Sequence, residues 1–252
     1  MDFKTGGFVT NLRIAMATDV GQVRTRNEDA VASDTSGGWA LVADGMGGHR
    51  GGDVASAIVA RVAGECLTGP PAETLDGEQI ERRVRDVIRK ANRAIFDQSN
   101  DNLKLYGMGS TAVLAQAWGK LVTIGHVGDS RAYRLRGGRL ERLTVDHSLL
   151  QELLDGGMIS AAEARRAPGR GVLTRSLGVD PDVDVDVVTV EFAAGDSLLL
   201  CSDGLTEMLE DDAILAEIEA ADGDLPRATA RLIDAANGGG GRDNVSVVLM
   251  AY

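Results

Sequence analysis

Apolar residues occur in short bursts separated by turn-forming residues. LRIAMAT (12–18), WALVA (39–43), STAVLAQAW (110–118), LVTIGHVG (121–128), RAYRLR (131–136), RLERLT (139–144), VDVVTV (185–190), DSLLLCS (196–202) and VSVVLMAY (245–252) predict strands. Gly137-Gly138 joins two of them as a tight hairpin, and Gly119-Lys120 joins another pair. Such short joins place neighbouring strands antiparallel. A different period governs the blocks between. Residues 53–67 carry Val54, Ile58, Val59 and Val62 on one side. Residues 78–97 carry Ile80, Val84, Val87, Ile88, Ala91 and Ile95 on one face, with a basic, solvated face opposite. Asp76 and Gln79 predict a capping box for that helix. Shorter helices are expected at 148–155 and 161–167, the first ending at Gly156-Gly157 and the second opened by Ser160 and Glu163. A last pair is expected at 211–221 and 226–236, with Pro226 at a helix start. Grouped strands with helix pairs between them define an α+β layered domain. Residues 147–172 read as a helical insertion containing the flexible stretch APGRG.

Four of the predicted strands meet an aspartate at a turn. WALVADG brings Asp44, TIGHVGDSR brings Asp129, LLLCSDGL brings Asp203, and GGGGRDNVSVV places Asp243 just before the last strand. One Asp-Gly is ordinary turn chemistry. Four such junctions suit the oxygen-ligand preference of Mg²⁺ and Mn²⁺. Unit charges about 5 Å apart repel by roughly 3 kcal/mol at an effective dielectric of 20, so clustered carboxylates call for cations. His49, His126 and His147 show no zinc-ligand spacing. Upstream, DVGQVRTRNEDA (19–30) adds Arg24, Arg26, Glu28 and Asp29; beside a carboxylate cluster, an arginine can hold an anionic substrate.

Charge and composition narrow the choice. A formal net charge of −12 over 252 residues disfavours nucleic-acid binding. With 44% hydrophobic residues the chain supports a sizeable core, yet no apolar run approaches a membrane span. The start MDFKTGGFVTNLR has no export-signal pattern, and the cytoplasm is the expected location. Cys66 and Cys201 suggest no disulfide scaffold, and Cys201 reads as a packed core thiol, as Trp39 and Trp118 read as sheet or core residues.

The ordered stretches DVGQVRTRNEDA, VADGMGGHRGG, GSTAV, HVGDSRAYRL, LTVDHS, LTRSLG, AGDSLLLCSDGL and GGRDNVSVV resemble the metal-dependent protein phosphatases of type 2C in their bacterial form. The resemblance covers about 12–252. It implies a four-layer α-β-β-α sandwich, two packed antiparallel sheets flanked by helix pairs, as a single catalytic domain after an extension at 1–11. It implies hydrolysis of phosphoserine and phosphothreonine on proteins, with a water activated by two Mn²⁺ or Mg²⁺ ions attacking phosphorus in line. Asp44 would bridge the two ions. Asp203 and Asp243 would complete one shell, and the Gly45 carbonyl with Glu28 the other. Asp129 and Asp203 match the pair that binds a third, weaker ion. Arg24 matches the phosphate-binding arginine, Asn244 would orient Asp243, and 147–172 matches the mobile flap beside the substrate groove. Where animal and plant members have a histidine after the Asp-Gly, this chain has Met46. The general acid is therefore unassigned; His49 is one candidate and a metal-bound water another. Phosphorylated proteins, among them a cognate Ser/Thr kinase, are the expected partners of a monomer. Arg131 is expected to brace the turn around Asp129, and His147 to act as a helix cap or a substrate contact.

Two rivals remain. A thiol phosphatase needs Cys followed by Arg six positions on, which neither cysteine has. A non-catalytic phosphate- or nucleotide-binding module would also use a strand, a Gly-rich loop and a helix. However, DGMGGHRGG has neither the Gly-Lys-Ser/Thr ending nor the G-x-G-x-x-G spacing.

Overall fold

The computed structural model describes residues 11–47, 51–68, 75–164 and 171–252. The strands are β1 (Arg13–Asp19), β2 (Asp29–Asp34), β3 (Trp39–Met46), β4 (Gly109–Ser110), β5 (Ala112–Trp118), β6 (Leu121–Val127), β7 (Arg131–Arg136), β8 (Arg139–Arg142), β9 (Asp186–Glu191), β10 (Ser197–Cys201) and β11 (Val245–Ala251). The helices are α1 (Gly52–Leu67), α2 (Gly77–Asp101), α3 (Leu149–Asp155), α4 (Ala161–Ala164), α5 (Asp203–Thr206), α6 (Asp211–Glu219) and α7 (Leu225–Gly238).

The strands form two sheets, in the orders β1-β11-β10-β7-β8 and β2-β3-β5-β6-β9, with β4 beside β3. Every pairing is antiparallel. The period of two along a strand explains the layering. In β3, Leu41 points to α1 and α2, while Val42 points between the sheets. In β11, Val247 and Leu249 point to α6 and α7, while Val248 and Met250 point between the sheets. The central layer joins Val42, Val113 and Ile124 to Leu198, Leu200 and Val248. The result is the four-layer α-β-β-α sandwich. Each fully buried aliphatic side chain contributes roughly 1.5–3 kcal/mol of burial, which sets the sheet-to-sheet register firmly.

Local signals act as read. The Asp76 carboxylate accepts the Gln79 N–H at 2.9 Å while the Gln79 side chain accepts the Asp76 N–H at 2.9 Å. Ser160 and Glu163 form the same reciprocal pair. Gly137 and Gly138 adopt φ +57° and +70°, the left-handed conformation of a two-residue hairpin turn. Trp39 is buried, and Trp118 is half-buried with its indole N–H donating to Thr123 Oγ1. Cys201 is fully buried, and burial pushes its thiol up to about 12.

Two elements differ from expectation. Residues 29–34, to which the sequence pattern assigned no element, form the edge strand β2. Its residues are all half-buried, so no apolar alternation announces it; pairing with β3 makes it a strand. The single turn α5 was not expected either, being shorter than any periodicity can reveal. The predicted helix at 161–167 is described only as far as α4; its last residues, much of APGRG, residues 1–10 and His49 lie outside the described residues.

Gly125 in β6 lies under α2, where a Cβ would come within 2.5 Å of Val84 Cγ1 and 2.7 Å of Ile88 Cδ1. Gly125→Val should therefore overpack this layer and lower stability by about 1–3 kcal/mol in denaturant titration. Unchanged stability would show that α2 does not press on β6 here.

Candidate metal centre

The sandwich brings the strand-end acids together. Asp44 lies near the end of β3, directly opposite Asp29 of β2. Asp129 lies in the β6–β7 turn, Asp203 opens α5 just after β10, and Asp243 precedes β11. Asp44, Asp129, Asp203 and Asp243 share one open pocket of ≈ 810 Å³ with Arg24, Glu28, Gly45 and Asn244. All eight residues singled out from the sequence thus meet at one place.

Electrostatics there oppose ionisation. Burial, then the charges of Asp29, Asp203, Asp129 and Asp243, holds Asp44 well above the usual carboxylate range. Burial, then Asp129 and Glu207, does the same for Asp203. Asp29 and Asp129 are each pushed up to about 6, chiefly by burial. Burial and Asp53 raise Glu28, against the lowering effect of Arg24. Oδ1 of Asp203 and Oδ1 of Asp29 are buried with no hydrogen-bond partner, although buried acceptors are nearly always satisfied.

Small groups make the approach possible. A Cβ on Gly52 would stand 2.7 Å from the Gly45 carbonyl oxygen and 2.9 Å from the Glu28 carboxyl carbon. Only a glycine at 52 leaves these two oxygen donors facing a common space. Hydroxyls fix the backbone around Asp44: its N–H donates to Thr111 Oγ1 at 2.9 Å and its carbonyl accepts from Ser110 Oγ at 3.0 Å. Thr111 Oγ1 also bonds Ser130 Oγ at 2.6 Å, tying β5 to the turn after Asp129.

The donor set fits hard divalent cations. It is all oxygen, it carries excess negative charge, and it includes orphaned carboxylate oxygens and a Gly45 carbonyl that only a glycine at 52 leaves uncrowded. Among the described residues, no three His, Cys, Asp or Glu side chains already stand as a closed chelate. Asp243 instead accepts a 2.6 Å ion pair from Arg24.

Several contacts differ from the sequence reading. The Asn244 side chain does not hold Asp243; its Oδ1 accepts the Glu28 N–H at 2.7 Å, and its amide donates to the Val20 and Arg26 carbonyls. The Asn244 main-chain N–H is what bonds Asp243 Oδ1, at 2.8 Å. Arg131 pairs with Asp146 and Tyr133 rather than with the Asp129 turn. Asp29 had no assigned role, yet it stands half-buried opposite Asp44 and accepts from Ser202 Oγ at 2.8 Å. The strand pairing that reveals it is not visible as apolar alternation.

The sequence model of the protein phosphatase 2C family matches residues 21–231. The serine/threonine phosphatase stp of Listeria monocytogenes is 40% identical over 236 residues, spanning 92% of this chain and 93% of that protein. The crystal structure of Mycobacterium tuberculosis PstP/Ppp superposes with a TM-score of 0.88 at 36% identity, over 95% of this chain and 98% of that one. The PstP catalytic domain in complex with two manganese ions gives 0.85 at 35% identity, over 95% and 97%. The chain belongs to the protein phosphatase 2C family.

Because Asp203 keeps its proton to higher pH when folded, the folded chain binds more protons than the unfolded chain once pH exceeds about 4. The cluster's penalty is thus absent in acid and grows as pH rises. In chelator, Asp203→Asn should melt at least about 2 °C above wild type near pH 7.5 and show a smaller advantage near pH 5. Excess Mn²⁺ should reverse the order at pH 7.5. Equal melting in chelator at both pH values would mean the carboxylates do not repel one another.

Proposed function

We propose that the pocket hydrolyses phosphoserine and phosphothreonine on proteins with two divalent cations, Mn²⁺ or Mg²⁺, held in it. The observation that carries this reading is the meeting of Asp44, Asp203 and Asp243 beside Arg24 in one pocket. Asp44 feels the charges of Asp29, Asp203, Asp129 and Asp243 and would bridge two ions; Asp203 and Asp243 would complete one shell, and the Gly45 carbonyl with Glu28 the other. Asp129 and Asp203 would hold a third, weaker ion.

When bound, such ions supply a water acidic enough to act as nucleophile near neutral pH and offset charge on the phosphoryl group. The protein's own groups do the rest. Arg24, half exposed and already on a carboxylate, can exchange that partner for phosphoryl oxygens and orient them for in-line attack. Asn244 fixes Glu28 through the main chain, and Ser110 with Thr111 fixes Asp44. The Asp44 carboxylate serves as ligand, so no phosphoenzyme forms. Met46, at the pocket wall, offers no proton, so the general acid is another group: of His49 and a water, we favour the water.

The catalytic unit is taken as residues 12–252, with 1–11 an extension and 147–172 an insertion bordering the groove. Among the described residues no helix is long and apolar enough to cross a membrane. A cytoplasmic monomer acting on phosphorylated proteins, including a cognate Ser/Thr kinase, is the setting we infer.

Asp203→Asn and Asp243→Asn should each lower kcat on a phosphothreonine peptide by about 10³-fold or more, as should excess EDTA. Turnover that persists in EDTA would contradict the reading. Arg24→Ala should raise KM for the same peptide about tenfold or more; if KM and kcat both stay put, Arg24 does not bind phosphate. Retained, saturable ATP binding with no phosphatase turnover in Mn²⁺ would favour the nucleotide-binding alternative.

A further inference from the structure

His147 is neither cap nor substrate contact. Ser148 caps α3, accepting the Gln151 N–H, and the His147 side chain is only 8% exposed. Four bonds converge on this one residue. Its main-chain N–H donates to the Gly128 carbonyl at 2.8 Å, and its ring Nδ1 accepts the Gly128 N–H at 3.0 Å. Its carbonyl accepts the Thr174 N–H at 2.9 Å, and its Nε2 lies 3.2 Å from Asp186 Oδ2.

The tautomer follows from these partners. A main-chain N–H can only donate, so Nδ1 must carry the lone pair and the ring proton sits on Nε2, directed at Asp186. Arg175 Nη1, 3.1 Å from Nε2, has no acceptor there and donates instead to Asp186 Oδ1 at 2.8 Å, so both cationic and imidazole N–H groups share the Asp186 carboxylate. The His126 ring packs against His147 with centroids 4.6 Å apart, so the imidazole is held from behind.

Each bonded segment leads to the pocket. Gly128 immediately precedes Asp129 and has φ +106°, where a Cβ would sit 2.6 Å from Thr111 Cγ2. Its N–H is buried, and His147 is the partner that satisfies it. Thr174 lies in the stem that leaves the insertion just beyond its last residue, Val172, whose carbonyl accepts the Leu149 N–H of the entering stem at 2.9 Å. Leu173 of the leaving stem lines the pocket together with Asp129.

We propose that His147 is a positioning residue of the phosphatase: by accepting the Gly128 N–H it fixes the turn that presents Asp129 and locks that turn to both stems of the insertion. The catalytic part of this claim rests on the phosphatase reading above. Cation binding at Asp129 and placement of Leu173 beside the substrate are then linked through one imidazole. The requirement is chemical as well as spatial. An asparagine places an acceptor oxygen near the position of Nδ1, whereas a glutamine reaches toward Asp186 and leaves the Gly128 N–H without its partner.

The test compares wild type with His147→Asn, His147→Gln and His147→Ala in the full chain. In metal-free protein, amide hydrogen exchange is followed in the peptides covering 127–130 and 171–175. His147→Ala and His147→Gln should speed exchange in both peptides together, about tenfold or more, while His147→Asn stays within about threefold of wild type. With p-nitrophenyl phosphate, the Mn²⁺ concentration for half-maximal rate should rise at least about fivefold in His147→Gln and remain near wild type in His147→Asn. Should His147→Ala fail to fold, the Asn–Gln contrast carries the test. Equal behaviour of Asn and Gln, or faster exchange in only one of the two peptides, would overturn the proposal. If wild type itself shows no turnover, the phosphatase reading and the catalytic part of this claim fall together, and the exchange data still decide the mechanical link.

Discussion

Buried like charge is the constraint on which the rest of this molecule depends. Asp44 and Asp203 stand half-buried on the wall of one pocket among other acids, and neither burial nor neighbours favour their ionised form. A domain free to minimise its own energy would not assemble such a group. What forces it is the sandwich. The sheets are registered by Val42, Val113 and Ile124 against Leu198, Leu200 and Val248, and four of the strands involved, β3, β6, β10 and β11, adjoin the acids at one end. Apolar burial in the central layer therefore does work against repulsion at its rim.

The neighbouring residues make that repulsion tolerable and useful. Glycine at 52 opens the space between the Gly45 carbonyl and Glu28, and glycine at 204 admits the Asn244 carbonyl, which would lie 2.0 Å from a Cβ there. Hydroxyls of Ser110, Thr111, Ser130 and Ser202 hold the acid-bearing backbone without adding charge. Arg24 and Arg26 place local positive charge at the pocket of an acidic protein of net charge −12, and Arg24 is paired with Asp243. Neutral donors fix the backbone around Asp44, and Oδ1 of Asp203 and Oδ1 of Asp29 are left without a protein partner.

How far the sequence spoke depended on the kind of signal. Short continuous apolar runs such as those of β5, β10 and β11 marked themselves, as did helices with capping boxes at Asp76 and Ser160. The Asp-Gly junctions at 44 and 203 were legible because a carboxylate at the mouth of an apolar strand is conspicuous. Strand β2 was not, since an edge strand of half-buried small residues has no pattern until β3 pairs with it. Asp29 stayed hidden for the same reason. The partners of Asn244, Arg131 and His147 were not legible either: each bonds across the fold to segments distant in sequence, and no spacing encodes such a contact.

The most direct test of the account is anomalous diffraction from a Mn²⁺-soaked crystal of this chain. Two manganese peaks should share the Asp44 carboxylate, each about 2.1–2.3 Å from one of its oxygens, with Asp203 and Asp243 on one side and the Gly45 carbonyl toward the other. A pocket without manganese at saturating concentration, or peaks confined to surface carboxylates, would contradict the claim that the sandwich gathers these acids to bind cations.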